Sequence, residues 1–306
     1  MKNSKNNIMS TVSHGKVDFA ALDALAKAEK AVPAENDKKM VLLVGVDFQY
    51  CFKDGVGSLG VPGFAEDVER TKNWLYNNFN SVTRVMLTGD EHTKEQIFFP
   101  SWWRDKAGKE PAPYTVITPD DVVNGKWVPV KDKQVFIKER GGMVAYCEEY
   151  VRRLGGNTIW PYHATEEDLD ADIDAGLLAM VYFHGKCRKN EPLIIKKGQD
   201  PWSEMFSFVK PEWSLDEALN KTAINEMKKY NIVIFTGEAA SHCAGKSVLH
   251  TAEIFAEIPK KERPHIVVFK DCMSPISGFE AQTQELYEEL QKKYGVIVTD
   301  STSFVL

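Results

Sequence analysis

The sequence has no long apolar run. None of its 306 residues lies in an apolar stretch near the roughly 18 residues that a transmembrane helix needs. Residues 1–16 are polar and lysine-bearing, and they lack the apolar segment of a secretion signal. We therefore expect no membrane association and a cytoplasmic location.

Cysteine is scarce, and its spacing is irregular. The chain has five cysteines, an odd number, and no C-x-x-C pair. This argues against a disulfide framework and against a zinc site made of thiolates. A reducing compartment is the natural setting for such a chain.

The sequence also lacks a basic stripe. Its net charge of −6 is spread along the chain and is not concentrated in a tail. Nucleic-acid binding proteins usually concentrate lysine and arginine on one face. A nucleic-acid partner is therefore not expected.

Residues 17–31 combine strong helix formers with apolar positions at helical spacing, and Pro33 and the polar segment 35–39 interrupt the pattern. We interpret residues 1–39 as an N-terminal helical arm. From residue 40 to 306, short β-rich runs alternate with helical segments. The Pro- and Trp-rich stretch 100–133 is weakly patterned and is interpreted as an insertion that caps a site or contacts another subunit.

Alternation of apolar strands with helices is typical of a parallel sheet covered on both faces. We therefore predict a three-layer α/β/α domain with a mostly parallel sheet of roughly six strands. The predicted strands are 40–46, 82–87, 158–160, 193–195, 232–235, 266–269 and 296–298. The predicted helices lie near 65–79, 143–154, 166–185, 214–230, 243–257 and 279–293.

In such sheets, functional side chains gather just beyond the carboxyl ends of the strands. Asp47 follows the first predicted strand and could act as a base, although an Asp at this place is often only a turn residue. Lys196 and Lys197 end another strand, where a cation could stabilise a thiolate or an oxyanion. Sequence reasoning alone does not choose between the two lysines, and both could be solvated.

Asp90 and His92 follow the second strand and, two residues apart in an extended segment, would point to the same side. His163, near the end of the predicted strand 158–160, could supply a third metal ligand. Each histidine could equally be an ordinary hydrogen-bonded side chain.

Cys243 lies where the apolar run 232–235 gives way to a helical segment. Amide groups in the first turn of a helix lack intrahelical partners and favour a thiolate over a thiol. This predicts a nucleophile, whereas an isolated free cysteine more often fills a core.

Taken in order, the motifs Asp, Asp-x-His, Trp-Pro-x-His, Lys-Gly and Gly-x-Ala-x-x-x-Cys make residues 40–304 resemble the isochorismatase-like cysteine hydrolases, and within them the nicotinamidases. The resemblance implies that fold, and it selects Lys197 over Lys196. It implies a catalytic triad and a divalent metal, Zn or alternatively Fe or Mn, beside it. The residues implied for the triad are Asp47, Lys197 and Cys243, and those for the metal are Asp90, His92 and His163.

The same resemblance implies a cis peptide between Glu238 and Ala239, and an oxyanion hole formed by the backbone N–H groups of Ala239 and Cys243. It also implies that Phe52 and Trp160 enclose the substrate ring. Three positions depart from the family pattern: Ala164 replaces a cysteine, Ser241 an aspartate, and Glu238 a commonly apolar residue. These departures bear on substrate identity more than on the triad.

The resemblance thus predicts a metal-containing cysteine amidase that converts a small carboxamide, nicotinamide first, to the acid and ammonia. One alternative is a related amidase acting on an N-carbamoyl or ureido compound. Another is a non-catalytic ligand-binding member of the same fold. Homo-oligomerisation through the helical arm is also expected.

Overall fold

A six-stranded sheet forms the centre of the computed structural model, which describes residues 3–130, 142–165, 169–215 and 218–306. Every neighbouring pair of strands in this sheet is parallel. In spatial order the strands are β12 (Ile297–Thr299), β11 (His265–Phe269), β10 (Ile232–Gly237), β3 (Val41–Val46), β4 (Arg84–Asp90) and β9 (Leu193–Lys197).

Helices cover both faces of the sheet, as a buried parallel sheet requires. All residues of β3 and β10 are buried, and successive side chains point to opposite faces, so the two faces contribute to two separate apolar clusters. One face packs against α3 (Phe64–Asn77) and α6 (Ala175–Arg188). The other packs against α7 (Lys221–Met227), α8 (Cys243–Ala256) and α9 (Glu280–Glu289), which continues into a π-turn at Leu290–Tyr294. The predicted three-layer α/β/α fold is confirmed.

Six of the seven predicted strands belong to this sheet, and the prediction for 158–160 is wrong. Asn157–Thr158 (β8) pairs antiparallel with Val116–Ile117 (β6), outside the sheet. The reason lies in the next two residues, because Ile159 and Trp160 are buried in a separate apolar cluster and not in the central core.

The helix predictions differ from the structure mainly at helix starts. The helix predicted at 143–154 is α5 (Met143–Leu154). The helix predicted at 166–185 begins at Ala175, because the Asp174 side chain caps it by accepting a hydrogen bond from the Leu177 N–H at 2.9 Å. Residues 166–168 of that prediction lie outside the described ranges, as do 216 and 217 of the helix predicted at 214–230. In that second case the described helix is only α7. Within the described ranges, no helix is both long and apolar enough to cross a membrane.

The N-terminal arm folds back on the domain. It contains α1 (Lys5–Met9), a hairpin of β1 (Val12–Ser13) and β2 (Lys16–Val17), and α2 (Phe19–Ala28). Ile8 and Leu22 are buried in the same apolar cluster as α6. The arm therefore thickens one helical layer, and its assignment as a separate unit stays a prediction.

The predicted insertion has its own core. It contains β5 (Trp103–Arg104), β6, α4 (Pro119–Val123) and β7 (Val128–Pro129), and residues 131–133 of the prediction lie outside the described ranges. Its buried aromatic residues pack against α5 and the segment around Trp160. This third cluster explains how a weakly patterned, Trp-rich stretch becomes ordered. Its buried members include Phe98, Phe99, Trp102, Trp103, Tyr146 and Tyr150.

A buried charge ties the end of the arm to α6. The Arg188 side chain is fully buried, and its Nη2 donates to both carboxylate oxygens of Asp37 at 2.5 and 2.6 Å. Removing one partner of a buried ion pair leaves an unpaired charge and costs about 3–5 kcal/mol. We expect Asp37→Ala to lower the free energy of unfolding by about that amount in urea denaturation. The neighbouring exposed Glu35→Ala is the control and should change it by less than about 0.5 kcal/mol. Equal midpoints for the two variants would contradict this interpretation.

Candidate active site

Four strands bring the predicted catalytic residues to one edge of the sheet. Asp47 follows β3, Asp90 ends β4, Lys197 ends β9, and Cys243 begins α8 a few residues after β10. In the register of the sheet, Asp90 lies directly opposite Lys197, and Val46 opposite Gly237. Parallel pairing therefore places these side chains together although they are far apart in the sequence.

Lys197 is the centre of the group. Its side chain is almost completely buried, and its Nζ lies 2.9 Å from Asp47 Oδ2 and 2.6 Å from Asp90 Oδ1. The same Nζ lies 3.5 Å from Cys243 Sγ and donates to the Met205 carbonyl oxygen at 3.2 Å. Lys196 points away and pairs with Glu91 at the surface. The choice of Lys197 made from the resemblance agrees with this geometry.

Asp47 is held in one orientation by its surroundings. The Thr88 hydroxyl donates to Asp47 Oδ1 at 2.8 Å, and the backbone of Asp47 is left-handed with φ of 50°. Non-glycine residues in this region are often found at functional sites. Burial raises the pKa of Asp47 to about 6, although Lys197 acts to lower it. At neutral pH the carboxylate is therefore mainly ionised and can accept a proton.

The surroundings of Cys243 favour the protonated thiol. Cys243 does begin α8, but burial raises the pKa of its thiol well above the usual range. Lys197 opposes this shift without cancelling it, because the carboxylates of Asp47, Asp90 and Glu204 also disfavour a second negative charge. Cys243 thus stays protonated until a base removes the proton.

The Gln49 side chain holds the backbone of Asp90 in place through two hydrogen bonds. The backbone N–H of Asp90 donates to Gln49 Oε1 at 2.6 Å, and Gln49 Nε2 donates to the Asp90 carbonyl oxygen at 2.8 Å. Burial opposes a charge on Asp90, but Lys197 and His92 outweigh it and hold the pKa of Asp90 well below its usual range. Asp90 therefore stays ionised while Asp47 titrates near neutrality.

The predicted metal ligands also come together. Asp90, His92 and His163 each offer a ligand atom, and these atoms all lie within 4.8 Å of one another. His92 Nδ1 donates to the Gly198 carbonyl oxygen at 2.9 Å, and His163 Nδ1 donates to that of Pro161 at 2.8 Å. With Nδ1 donating, the Nε2 atom of each ring carries the free lone pair that a metal ligand needs. His163 lies in a loop and not in the sheet.

Two further observations fit a cation among these three residues. Burial opposes a charge on His92, but the Asp90 carboxylate outweighs it and raises the pKa of His92, so positive charge is favoured between them. Burial and His92 together lower the pKa of His163 to about 3, which keeps this imidazole neutral. The backbone also approaches His92 closely, since a Cβ at Gly198, with φ of +75°, would lie 2.4 Å from His92 Cε1. Two imidazoles and a carboxylate are a donor set that suits Zn, Fe or Mn.

A narrow cavity of about 30 Å³ opens beside Cys243. The two aromatic residues implied by the resemblance, Phe52 and Trp160, both line it, as do Asp90 and His163. Phe52 lies edge-to-face against His163, with ring centroids 5.9 Å apart. The cavity beside the thiol therefore has aromatic residues in its wall.

The backbone around Cys243 has the features implied for an oxyanion hole. The peptide between Glu238 and Ala239 is cis, as predicted. Within the part of the chain that the structure describes, the N–H groups of Ala239 and Cys243 donate to no backbone carbonyl, whereas Ala240 N–H donates to the Ser274 carbonyl oxygen at 2.8 Å. These two donors are free for an incoming oxyanion.

Sequence reasoning missed Glu204. Its carboxylate accepts hydrogen bonds from Trp160 Nε1 and the Met205 N–H, both at 3.0 Å, and it lines the cavity. Burial raises the pKa of Glu204 to about 7. Glu204 lies in a loop without a periodic pattern, and its proximity to Trp160 is a long-range contact, so no local signal marks it. Thr88 and Gln49 were also missed, although both lie at strand ends, where a search for side chains facing Asp47 and Asp90 could have found them.

His242 is another residue that sequence reasoning did not single out. The Ile276 N–H donates to Ser241 Oγ at 3.1 Å, and Ser241 Oγ lies 2.8 Å from His242 Nδ1. Ser241 Oγ is within hydrogen-bond distance of Nδ1 and so fixes the orientation of the ring, whose Nε2 is the other polar atom of this side chain on the cavity wall. Burial lowers the pKa of His242 to about 4, so the ring is neutral at physiological pH. Ser241, one of the departures from the family pattern, acquires a role in orienting this ring.

No family model matches this sequence, and no curated protein sequence matches it. Solved structures do match. The nicotinamidase/pyrazinamidase of Acinetobacter baumanii superposes with a TM-score of 0.56 at 19% identity, covering 88% of this chain and 100% of that one. The yeast nicotinamidase bound to the inhibitor nicotinaldehyde gives 0.59 at 18% identity, covering 85% and 100%. PnC1 of L. infantum in complex with nicotinate gives 0.53 at 16% identity, covering 90% and 98%. At such identities the likeness establishes a shared fold.

Metal binding is testable without an activity assay. We expect the purified protein to hold about one divalent metal per chain by elemental analysis, and His163→Ala to lower this content at least tenfold, because three protein ligands are reduced to two. His14→Ala, at an exposed histidine, is the control and should keep the metal. Equal metal content in the two variants would contradict the assignment of this site.

Proposed function

We propose that this protein is a cysteine amidohydrolase that cleaves a small primary carboxamide, nicotinamide first among the substrates to test. The observation that carries the proposal is the position of Lys197, whose Nζ contacts both Asp47 Oδ2 and Cys243 Sγ. A base, a cation and a nucleophile therefore share one buried edge, next to a cavity with aromatic walls. This is the arrangement that nucleophilic acyl transfer needs.

The first half of the reaction forms a thioester. Asp47 accepts the proton of the Cys243 thiol as Sγ attacks the carboxamide carbon, and Lys197 stabilises the negative charge on sulfur. The carbonyl π electrons move to oxygen, and the oxyanion faces the N–H groups of Ala239 and Cys243. When this intermediate collapses, Asp47 returns the proton to the nitrogen, and ammonia leaves.

The second half restores the enzyme. Water attacks the thioester carbon while Asp47 again accepts a proton, and the second tetrahedral intermediate expels the Cys243 thiolate. Asp47 then returns the proton to sulfur, and the acid product leaves. A base with a pKa of about 6 suits both directions of transfer at neutral pH, because neither protonation state is strongly disfavoured.

Asp90, His92 and His163 would hold the divalent metal beside this site. When bound, the metal would supply a Lewis-acidic contact that orients the ring nitrogen of the substrate, either directly or through a water molecule. The residues of the chain then position the rest of the substrate, with Phe52 and Trp160 enclosing the ring and Lys197 linking the metal ligand Asp90 to the triad.

Replacing the nucleophile tests this proposal directly. We expect Cys243→Ala to lower the rate of ammonia release from nicotinamide by on the order of 10⁴-fold or more, since loss of a nucleophile removes the covalent route. Cys187→Ala, at a cysteine in α6 far from the cavity in the fold, is the control and should retain activity.

Two other results would redirect the proposal. Turnover of an N-carbamoyl or ureido compound in place of nicotinamide would keep the mechanism and change the substrate. Equal ammonia release by wild type and Cys243→Ala, or none by either from any amide, would count against the cysteine mechanism.

The protonation of Asp47 predicts an acid limb in the pH profile. Asp47 acts as a base only when it is ionised, so kcat/KM should fall as the pH drops below about 6. Thr88→Val removes a donor that favours the ionised form, and it should therefore move this limb upward by about one pH unit. Thr283→Val, which removes a buried hydroxyl in α9, is the control and should leave the limb in place. A limb that does not move in Thr88→Val would show that another group titrates.

A further inference from the structure

A second, larger cavity adjoins the catalytic one. It has a volume of about 540 Å³ and is open to solvent between the insertion and the segment that follows β11. Five residues line both cavities, namely Trp160, Glu204, Phe206, His242 and Ile276. We call the larger cavity the outer cleft. The two spaces therefore adjoin across these five side chains, and the outer cleft is the space into which a molecule whose reacting group lies at Cys243 would extend.

The sizes of the two cavities suggest a division of roles. The catalytic cavity, at about 30 Å³, accepts little more than a flat reacting end, whereas the outer cleft is within the usual size range of ligand-binding pockets. A single-ring amide would leave the outer cleft filled with water. A longer amide would displace that water and bury apolar surface there.

Aromatic rings lie where the two cavities adjoin. The Trp160 ring lies 5.6 Å from His242 and 6.5 Å from Phe206, and His242 lies 4.8 Å from Phe279. Tyr114 continues this row, 6.3 Å from Trp160. Rings at such separations offer faces and edges on which another aromatic or apolar group can pack.

Among the described residues, no element covers the outer end of the row. Tyr114 is 61% and Val116 54% accessible, so large apolar side chains face solvent beside the cavity. The backbone of Tyr114 is left-handed with φ of 67°, and its N–H donates to the Ile159 carbonyl oxygen at 2.5 Å. A bulky residue is seldom found in this conformation, and such outliers often mark ligand sites.

The charges of the outer cleft compensate one another. Lys246 Nζ lies 3.4 Å from Glu212 Oε2, and both residues line the cleft. Glu204 also lines the cleft, but its carboxylate accepts hydrogen bonds from Trp160 Nε1 and the Met205 N–H. The remaining lining residues carry no formal charge, and they include Asn157, Thr158 and Ser277. An uncharged group therefore fits this space better than a carboxylate or an ammonium.

We propose that the outer cleft binds the distal part of the substrate. The enzyme then prefers, over nicotinamide, a primary carboxamide whose ring carries an uncharged aromatic or apolar extension. This rests on the function proposed for Cys243. It explains why the insertion contacts the catalytic cavity through Trp160, and it assigns Tyr114 and Val116 to specificity and not to catalysis.

The test compares nicotinamide with nicotinamides that carry a phenyl group at ring position 5 or 6. We expect at least one phenyl derivative to have a kcat/KM about tenfold or more above that of nicotinamide, mainly through a lower KM. In Tyr114→Ala and Val116→Asp this preference should shrink by about five- to tenfold. Val123→Asp, at an equally exposed valine of the insertion outside the cleft, is the matched control and should keep the preference.

Binding of the same compounds to Cys243→Ala, measured by calorimetry, separates the two proposals. Tight binding of a phenyl derivative that depends on Tyr114 would support the outer cleft even if wild type released no ammonia, and that result would count against the amidase function alone. Equal affinity for nicotinamide and both derivatives would overturn the proposal. A changed oligomeric state of Val116→Asp with an unchanged substrate preference would also overturn the proposal. The exposed surface around Val116 would then be a subunit interface.

Discussion

The buried ammonium group of Lys197 is the interaction on which the rest of the site depends. It lies between two carboxylates and a thiol in a region from which water is excluded, where unpaired charges are costly. Without this cation, Asp47 and Asp90 would repel each other, and one of them would be protonated. The pairing of β4 with β9 fixes Lys197 opposite Asp90, so the architecture of the sheet sets the electrostatics of the site.

Burial divides the acidic residues into different protonation states. Asp90 stays ionised because Lys197 and His92 face it, whereas Asp47 titrates near 6 and Glu204 near 7. Glu238, on the far side of the cis peptide, is fully buried, and burial raises its pKa well above the usual range, with the neighbouring Asp67 adding to the shift. Carboxyl groups within one small region thus differ in how readily they ionise, because burial and neighbouring charges differ from one to the next.

The insertion supports one wall of the cavity beside Cys243. Its aromatic core fixes the segment that carries Trp160 and His163, one a wall of the cavity and the other a candidate ligand. The central sheet therefore positions Asp47, Asp90 and Lys197, and the third apolar cluster supports part of the cavity wall beside them.

The sequence by itself determined the central sheet, and it placed Asp47, Asp90 and the adjacent Lys196 and Lys197 at the carboxyl ends of its strands. Only the resemblance to a family selected Lys197 and grouped it with Cys243. Apolar periodicity is a local property, and parallel strands necessarily end at a common edge. The tertiary structure alone decided that residues 157–158 pair outside the sheet, that Glu204 and His242 reach the cavity, and that the Cys243 thiol is protonated. Each of these depends on long-range packing and on the depth of burial. Helix position favours a thiolate at Cys243, but desolvation and three nearby carboxylates outweigh it, and only the folded chain brings them together.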